Sequence, residues 1–400
     1  MPAVYIHAYT LLSHLGDNPQ ETLAALSGRT AAPCNTAPGA LDEDLLEESR
    51  AWLRETLPGE RITRGMITAG ALILPLVKKL AEVPCGKKDA AALVIGNATS
   101  GLLDVTSALS DPKPDEPALW LDLELGRPAS LLARAASRFT PVLGPAYAVS
   151  TACTAGAKAI AEGARLLMSG AATAVIAGGA DILNPFTDAG FRALGAVSRT
   201  TARPFQADRD GLHLGEGGGF LLMTASPAFG GVTARLQLLG WGETADAHHI
   251  SAPEPDGLGA EAAMRRALEL GRTDPSEADF VLLHGTATAQ NDRAESAAVA
   301  RVCPGVPAAS FKRLTGHQLA GAGAFGASLA CAMLEAGRTP PPLNFPDADA
   351  AAGRDPSLPG IALTGPGAEP LEYRRILINA FAFGGSNISL LIGRTGETSE

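Results

Sequence analysis

Four hundred residues, 46% of them hydrophobic and only 18% charged, exceed the size at which one hydrophobic core keeps growing, so two domains or two halves of one layered domain are expected. The formal net charge of −10 argues against general binding to nucleic acid or anionic membrane, both of which want basic surface, and leaves any acidic partner a local basic patch. Five scattered cysteines (Cys34, Cys85, Cys153, Cys303 and Cys331) with no CxxC pair indicate neither a disulfide framework nor a zinc site, and fit a reducing cytoplasm.

The first residues, MPAVYIHAYTLLSHLGDNPQ, carry no cationic leader and read as a strand over 3–8 and a turn, not as a signal peptide. No apolar run reaches spanning length, so a soluble protein without a membrane span is expected. A short helix follows from Asn18 to Leu26, then an Ala/Pro/Asn/Gly-rich loop over 30–42, then helical patterns over Leu45–Leu57 and from about Met66 to Leu80. Arg61 and Arg64 stand in the connecting turn, the local cationic patch where an acidic partner would dock. Lys78 and Lys79, at a helix end, serve equally as charges complementing the dipole.

AALVIGN at 91–97 reads as a buried parallel strand and DPKPDEP at 111–117 as surface loop. Residues 146–170, AYAVSTACTAGAKAIAEGARLLMSG, join a strand-like approach to a small-residue helix, with Cys153 at the corner. A thiol in a helix's first turn feels unpaired N–H groups and the dipole's positive end, which favour thiolate. A small buried corner residue is the equal alternative on these residues alone. TAVIAGGAD at 173–181 is the next buried strand, and strand–helix–strand succession points to an α/β fold.

RTTARPFQADRDGLHLGEGGGF at 199–220 reads as a long loop crossing near a site. Strand-like TARLQLLGW then opens a second strand–helix succession: a helix around 259–270, the strand FVLLHGTAT at 280–288, a small-residue helix after KRLTGH, a turn at Pro340–Pro342, the strand RILINAF, the loop AFGGSN and the strand ISLLI. His284 stands at a strand terminus, where α/β proteins place catalytic groups, and His317 between a polar turn and a helix. Each alone is more readily a satisfied structural histidine.

Together these residues resemble the elongating β-ketoacyl-acyl carrier protein synthases of the thiolase-like superfamily. VSTACTAG at 149–156, RPFQADRDGLHLGEGGG at 203–219, HGTATAQNDRAE at 284–295, KRLTGH at 312–317 and NAFAFGGSN at 379–387 match that family's motifs in its order. The resemblance implies a thiolase-like α/β fold: two pseudo-symmetric halves, 1–230 and 231–400, in a five-layered αβαβα sandwich, usually dimeric. It implies that Cys153 accepts an acyl group from the phosphopantetheine of an acyl carrier protein, and that His284 and His317 stabilise the enolate formed as malonyl-carrier loses carbon dioxide. Lys312 becomes a supporting charge. The N–H groups of Cys153 and Phe383 become the oxyanion hole, with Phe383 also the gate. Asp292 and Glu295 become structural hydrogen-bonding residues, and Gly384 and Gly385 part of the gating loop. No metal and no cofactor is implied.

Two positions depart from the pattern. Gly326, nine residues after His317, stands where the family commonly has a glutamate near the lysine, and Ala382 precedes the gating phenylalanine where glycine is usual. They leave fatty-acid, polyene and polyketide elongation open. Alternatives are a thiolase, which would carry a second catalytic cysteine, and a subunit of a ketosynthase/chain-length-factor heterodimer. The assembly is thus a homodimer or a heterodimer with a homologous subunit.

Overall fold

The structure is a computed structural model that describes residues 3–27, 41, 43–59, 62–83, 90–98, 132, 134–138, 144–337, 353–364 and 372–396. Its strands are β1 (Val4–Leu12), β2 (Ala91–Gly96), β3 (Ala146–Val149), β4 (Ala174–Asp181), β5 (Gly217–Thr224), the two-residue pair β6 (Ala228–Phe229) and β7 (Val232–Thr233), β8 (Leu236–Ala245), β9 (Phe280–Leu282), β10 (Pro307–Ala309), β11 (Ala362–Leu363), β12 (Arg375–Ala382) and β13 (Ser386–Arg394). Apart from the β6–β7 hairpin they form one sheet, in the order β11-β10-β9-β12-β13-β8-β1-β5-β4-β2-β3.

Within that sheet one arrangement occurs twice. In the first half β2 pairs in parallel with β3 and β4, β4 antiparallel with β5, and β5 antiparallel with β1. In the second half β9 pairs in parallel with β10 and β12, β12 antiparallel with β13, and β13 antiparallel with β8. The halves meet where Val4, Tyr5 and Ile6 of β1 pair with Leu238, Gln237 and Leu236 of β8.

Side chains alternate across a strand, and here both faces are apolar. On β4 and β5, Val175, Ala177, Leu221 and Met223 face the same core as Phe280, Ile376, Ile378, Ile388 and Leu390 of the other half. Helices Ala155–Met168 and Ala320–Ala336 lie in that shared core. Ile176, Phe220 and Leu222 instead face helix Arg64–Ala81, and Val281, Leu377 and Leu391 face helices Leu258–Leu270 and Ala289–Val302. Helix, half-sheet, helix, half-sheet, helix: the five-layered αβαβα expectation is met.

Local signals explain most boundaries. Helix Arg64–Ala81 starts where Thr63 accepts a 3.1 Å bond from the Met66 N–H and ends with Lys78 and Lys79 in its last turn. The Gly-rich end of the 199–220 segment is not loop, however: Gly217, Gly218 and Gly219 open β5. Helix Ala320–Ala336 crosses that strand so closely that a Cβ on Gly219 would lie 2.6 Å from the Ala324 carbonyl oxygen. Glycine there serves close approach, not a turn. Helices Pro185–Ala193 and Ala289–Val302 were not legible as helices in the sequence. The expected strand over 280–288 ends at Leu282, and the expected loops over 30–40 and 111–117 and the turn at Pro340–Pro342 lie outside the described residues.

Candidate active site

Cys153, His284, His317 and Phe383 line one cavity of about 450 Å³, along with Phe191, Thr286, Arg209 and Phe381. Each chemical group stands where a regular element ends. Cys153 sits between β3 and helix Ala155–Met168, but one residue before that helix's N-cap, Thr154, not in its first turn. Ala152 before it has φ +50°, as does Leu319 beyond His317, while Ala287 near His284 has φ +66°. Non-glycine residues in the left-handed region cost of order 1–3 kcal/mol each and gather where the surrounding structure over-determines them, often at functional sites.

The environment of Cys153 corrects the thiolate expectation. Burial pushes its thiol up to about 12, and the positive charge of Lys312 opposes this only in part, while buried Asp181 adds to it. Desolvation outweighs the helix end because the sulfur is enclosed and lies outside the first turn. At rest Cys153 is a thiol.

Both histidines are neutral. Burial, reinforced by the Lys312 charge, holds each well below the usual imidazole range. Their rings meet edge to face with centroids 5.3 Å apart. His284 is anchored from four elements. Its N–H and that of Gly285 each donate at 2.7 Å to the Glu295 carboxylate on helix Ala289–Val302. Asn379 of β12 donates to the same carboxylate at 3.1 Å, and Ser389 of β13 holds Asn379 at 2.8 Å. Lys312 donates to the His284 carbonyl and lies 3.4 Å from its Nδ1. An ammonium has no lone pair, so Nδ1 is the acceptor and the ring proton sits on Nε2. His317 is held through its backbone, its N–H donating to the His213 carbonyl at 2.7 Å, and its buried Nδ1 has no hydrogen-bond partner.

Asp292, buried on the same helix as Glu295, accepts from the N–H groups of Phe205 at 2.7 Å and Ala287 at 3.2 Å, with Arg209 at 3.7 Å. It thereby ties the segment after helix Pro185–Ala193 to the His284 loop. Burial raises Asp292 to about 6, against its N–H donors and Arg209.

Phe383 is 39% exposed at the tip between β12 and β13, followed by Gly384 and Gly385 at φ +81° and +73°. Two residues in that conformation make glycine the natural occupant of both positions. Phe191 stacks on Phe383, centroids 5.5 Å apart. Nothing in the sequence marked Phe191, which bears no polar or nucleophilic group and lies on a helix that buries no residue.

The chain matches the models of the beta-ketoacyl synthase N-terminal domain over residues 86–228 and C-terminal domain over residues 236–346. A chain from the complex of the ketosynthase ApeO with its chain length factor ApeC, from Xenorhabdus doucetiae, is 32% identical with a TM-score of 0.78, over 98% of both chains. This chain belongs to the beta-ketoacyl synthase family. The ishigamide ketosynthase/chain length factor is 26% identical with a TM-score of 0.82, over 99% of this chain and 100% of that one. The 3-oxoacyl-[acyl-carrier-protein] synthase 2 of Synechocystis is 34% identical over 62% of this chain, and the match spans 61% of that relative's length.

Within the beta-ketoacyl synthase frame, the docking expectation rests on Arg61 and Arg64. Arg64 is no free surface cation: its guanidinium joins Glu43 and, at 3.0 Å, the buried carboxylate of Glu216, which also accepts the Leu41 and Leu183 N–H groups. It pins the start of its helix to the segment entering β5. Arg61 lies outside the described residues. Ala382 is the last residue of β12, paired with Ser386 and packed against the cluster holding Cys153, Leu212, Leu214 and Leu319. Among the described residues no cluster of His, Cys, Asp or Glu has the form of a metal site, and no helix is long and apolar enough to cross a membrane.

Proposed function

We propose that this chain is a β-ketoacyl-acyl carrier protein synthase, an acyltransferase that condenses malonyl-carrier with an acyl group held on Cys153. The observation that carries this reading is the convergence of a buried thiol, two neutral imidazoles and an aromatic hairpin tip on one cavity. Cys153 Sγ attacks the thioester carbonyl of the acyl carrier. Its proton passes through a neutral imidazole to the departing phosphopantetheine thiol, and the oxyanion forms between the N–H groups of Cys153 and Phe383. Malonyl-carrier then loses carbon dioxide, and the enolate oxygen receives hydrogen bonds from His284 and His317, strongest where charge develops. The enolate carbon attacks the acyl-cysteine carbonyl; collapse of the adduct breaks the C–S bond and expels the Cys153 thiolate, which takes a proton from water to return to the thiol.

Lys312 fixes the His284 tautomer, and Asp292 and Glu295 hold the loop that carries it. The phosphopantetheine belongs to the carrier, and this sequence of steps calls for no metal or other cofactor. We place the division between halves at 230/231, between Gly230 and Gly231 of the β6–β7 hairpin, and the protein in the cytoplasm.

Two solved relatives, 32% and 26% identical, are a ketosynthase with its chain length factor, which favours a heterodimer with a homologous subunit over a homodimer. A homodimer active alone in size-exclusion and product assays would remove the heterodimer. The thiolase alternative has weaker support: Cys303 and Cys331 are buried in other clusters and do not line the cavity. Replacement Cys153→Ala is expected to abolish both acyl-enzyme formation, read by intact mass, and product. Full condensation by that variant would refute the assignment.

A further inference from the structure

Gly326 interrupts the middle of helix Ala320–Ala336, where glycine costs about 1 kcal/mol relative to alanine. Its surroundings supply a reason. A Cβ at 326 would lie 3.1 Å from Ile378 Cγ2 and 3.3 Å from Phe311 Cε1, so the missing side chain leaves room for the Phe311 ring. Phe311 is buried, braced by Phe325 with ring centroids 5.1 Å apart. The Lys312 ammonium stands 4.9 Å from the centroid of that same ring.

We propose that Phe311 and Gly326 act as one unit, in which the Phe311 ring face takes the part a carboxylate beside Lys312 would otherwise play. Phe311 is then a positioning residue that acts on the reaction through Lys312. A cation within about 6 Å of an aromatic centroid is attracted by the ring quadrupole, most strongly where both are desolvated. Lys312 is fully enclosed. The groups facing it are Glu295 and Asp292 from helix Ala289–Val302, the thiol of Cys153, and the neutral rings of His284 and His317. Glu295 is already shared among the His284 and Gly285 N–H groups and Asn379, so the aromatic face adds to a thin set of counter-charges. Burial pulls Lys312 downward, and each group that favours the ammonium keeps positive charge next to Cys153 and His284.

The inference rests on the proposed role of this cavity, and its test has a readout independent of turnover. Peptide-mapped alkylation of Cys153 by iodoacetamide reports the charge beside the thiol, and steady-state condensation reports catalysis. Phe311→Leu is expected to slow Cys153 alkylation at pH 8 by roughly threefold to tenfold and to lower kcat by a similar factor, with KM for the carrier substrates unchanged. Trifluoro-phenylalanine at position 311 keeps the ring's shape while weakening its face, and is expected to act in the same direction. The pair Phe311→Ala and Gly326→Glu, which removes the ring and installs a carboxylate, is expected to restore both rates to within about twofold of wild type. Wild-type alkylation and kcat in the Leu or fluorinated variant would overturn the proposal, as would a loss confined to the Leu variant, which marks packing alone. If alkylation responds as expected but the wild-type protein condenses nothing, the proposed function fails and this inference stands.

Discussion

At the scale of the residue, the main consequence is that the Cys153 thiol is protonated at rest while its two basic neighbours are not. Burial pushes Cys153 up to about 12 and holds His284 and His317 well below the usual imidazole range. A neutral imidazole keeps an N–H to donate and a lone pair to accept the thiol proton; protonation removes the lone pair. On the proposed mechanism the histidines' own protonation removes activity only as pH drops through their lowered values, while Glu295, raised to about 7, and Asp292, raised to about 6, titrate near them and bear on the loop that holds His284. The ring resonances of His284 and His317, followed by NMR, are expected to show no titration from pH 7 down through 6.5, an unperturbed imidazole's midpoint. A midpoint at or above 6.5 for either ring would contradict neutral, buried histidines.

These residues were legible because their motifs are local. Cys153 in STACTAG, His284 after an apolar run and His317 in TGH each announce themselves within a few positions. The state of the thiol was not legible, since it depends on enclosure by Leu212, Leu214 and Leu319, distant in sequence. Arg64 misled for the same reason: a cation in a turn looks free until Glu216, far along the chain, is seen to hold it.

At the scale of the element, glycine and alanine do the placing. Helix Ala320–Ala336 can follow His317 into the core only because β5 offers it backbone instead of side chains, and helix Ala155–Met168 approaches it the same way. A Cβ on Gly156 would lie 2.5 Å from the Ala320 carbonyl oxygen. These contacts fix the separation between the helix that follows Cys153 and the one that follows His317. Gly219→Ala is expected to destabilise the fold by about 1–3 kcal/mol as an overpacking change, and to lower condensation by shifting the His317 segment. Urea melts and product assays would check this; unchanged stability with unchanged rate would show that the close approach is slack. The glycine run was misread as loop because composition alone does not distinguish a turn from a strand under a crossing helix. Helix Pro185–Ala193 escaped notice because its nine residues are fewer than the window over which helical periodicity separates from other patterns.

At the scale of the whole molecule, the repeated strand order invites the view of two autonomous domains, and the packing speaks against it. Every residue from Ala320 to Leu334 is buried, against β4 and β5 of the first half as well as β12 and β13 of its own. Cut at 230/231, the second half would expose one long face of that helix, and the first half would lose cover from Val175, Ala177, Leu221 and Met223. Apolar surface returns about 25 cal/mol per Å² on burial, so each few hundred Å² of the central layer exposed costs an amount comparable with the 5–15 kcal/mol that ordinarily holds a domain together. The polar ties run the same way: Asp292 of the second half holds the Phe205 N–H of the first, and Gln318 donates to the carbonyls of Leu12 and Glu216. The halves are thus a repeat in topology and one unit in energetics. The full chain is expected to unfold in urea as one transition, with coincident far-ultraviolet circular dichroism and tryptophan fluorescence, because Trp52 lies in the first half and Trp241 in the second. Expressed separately, 1–230 and 231–400 are expected to lack a cooperative transition and to regain one only on mixing. Two resolved transitions in the intact chain, or a stable, monomeric 231–400 fragment, would show that the central layer does not bind the halves into one cooperative core.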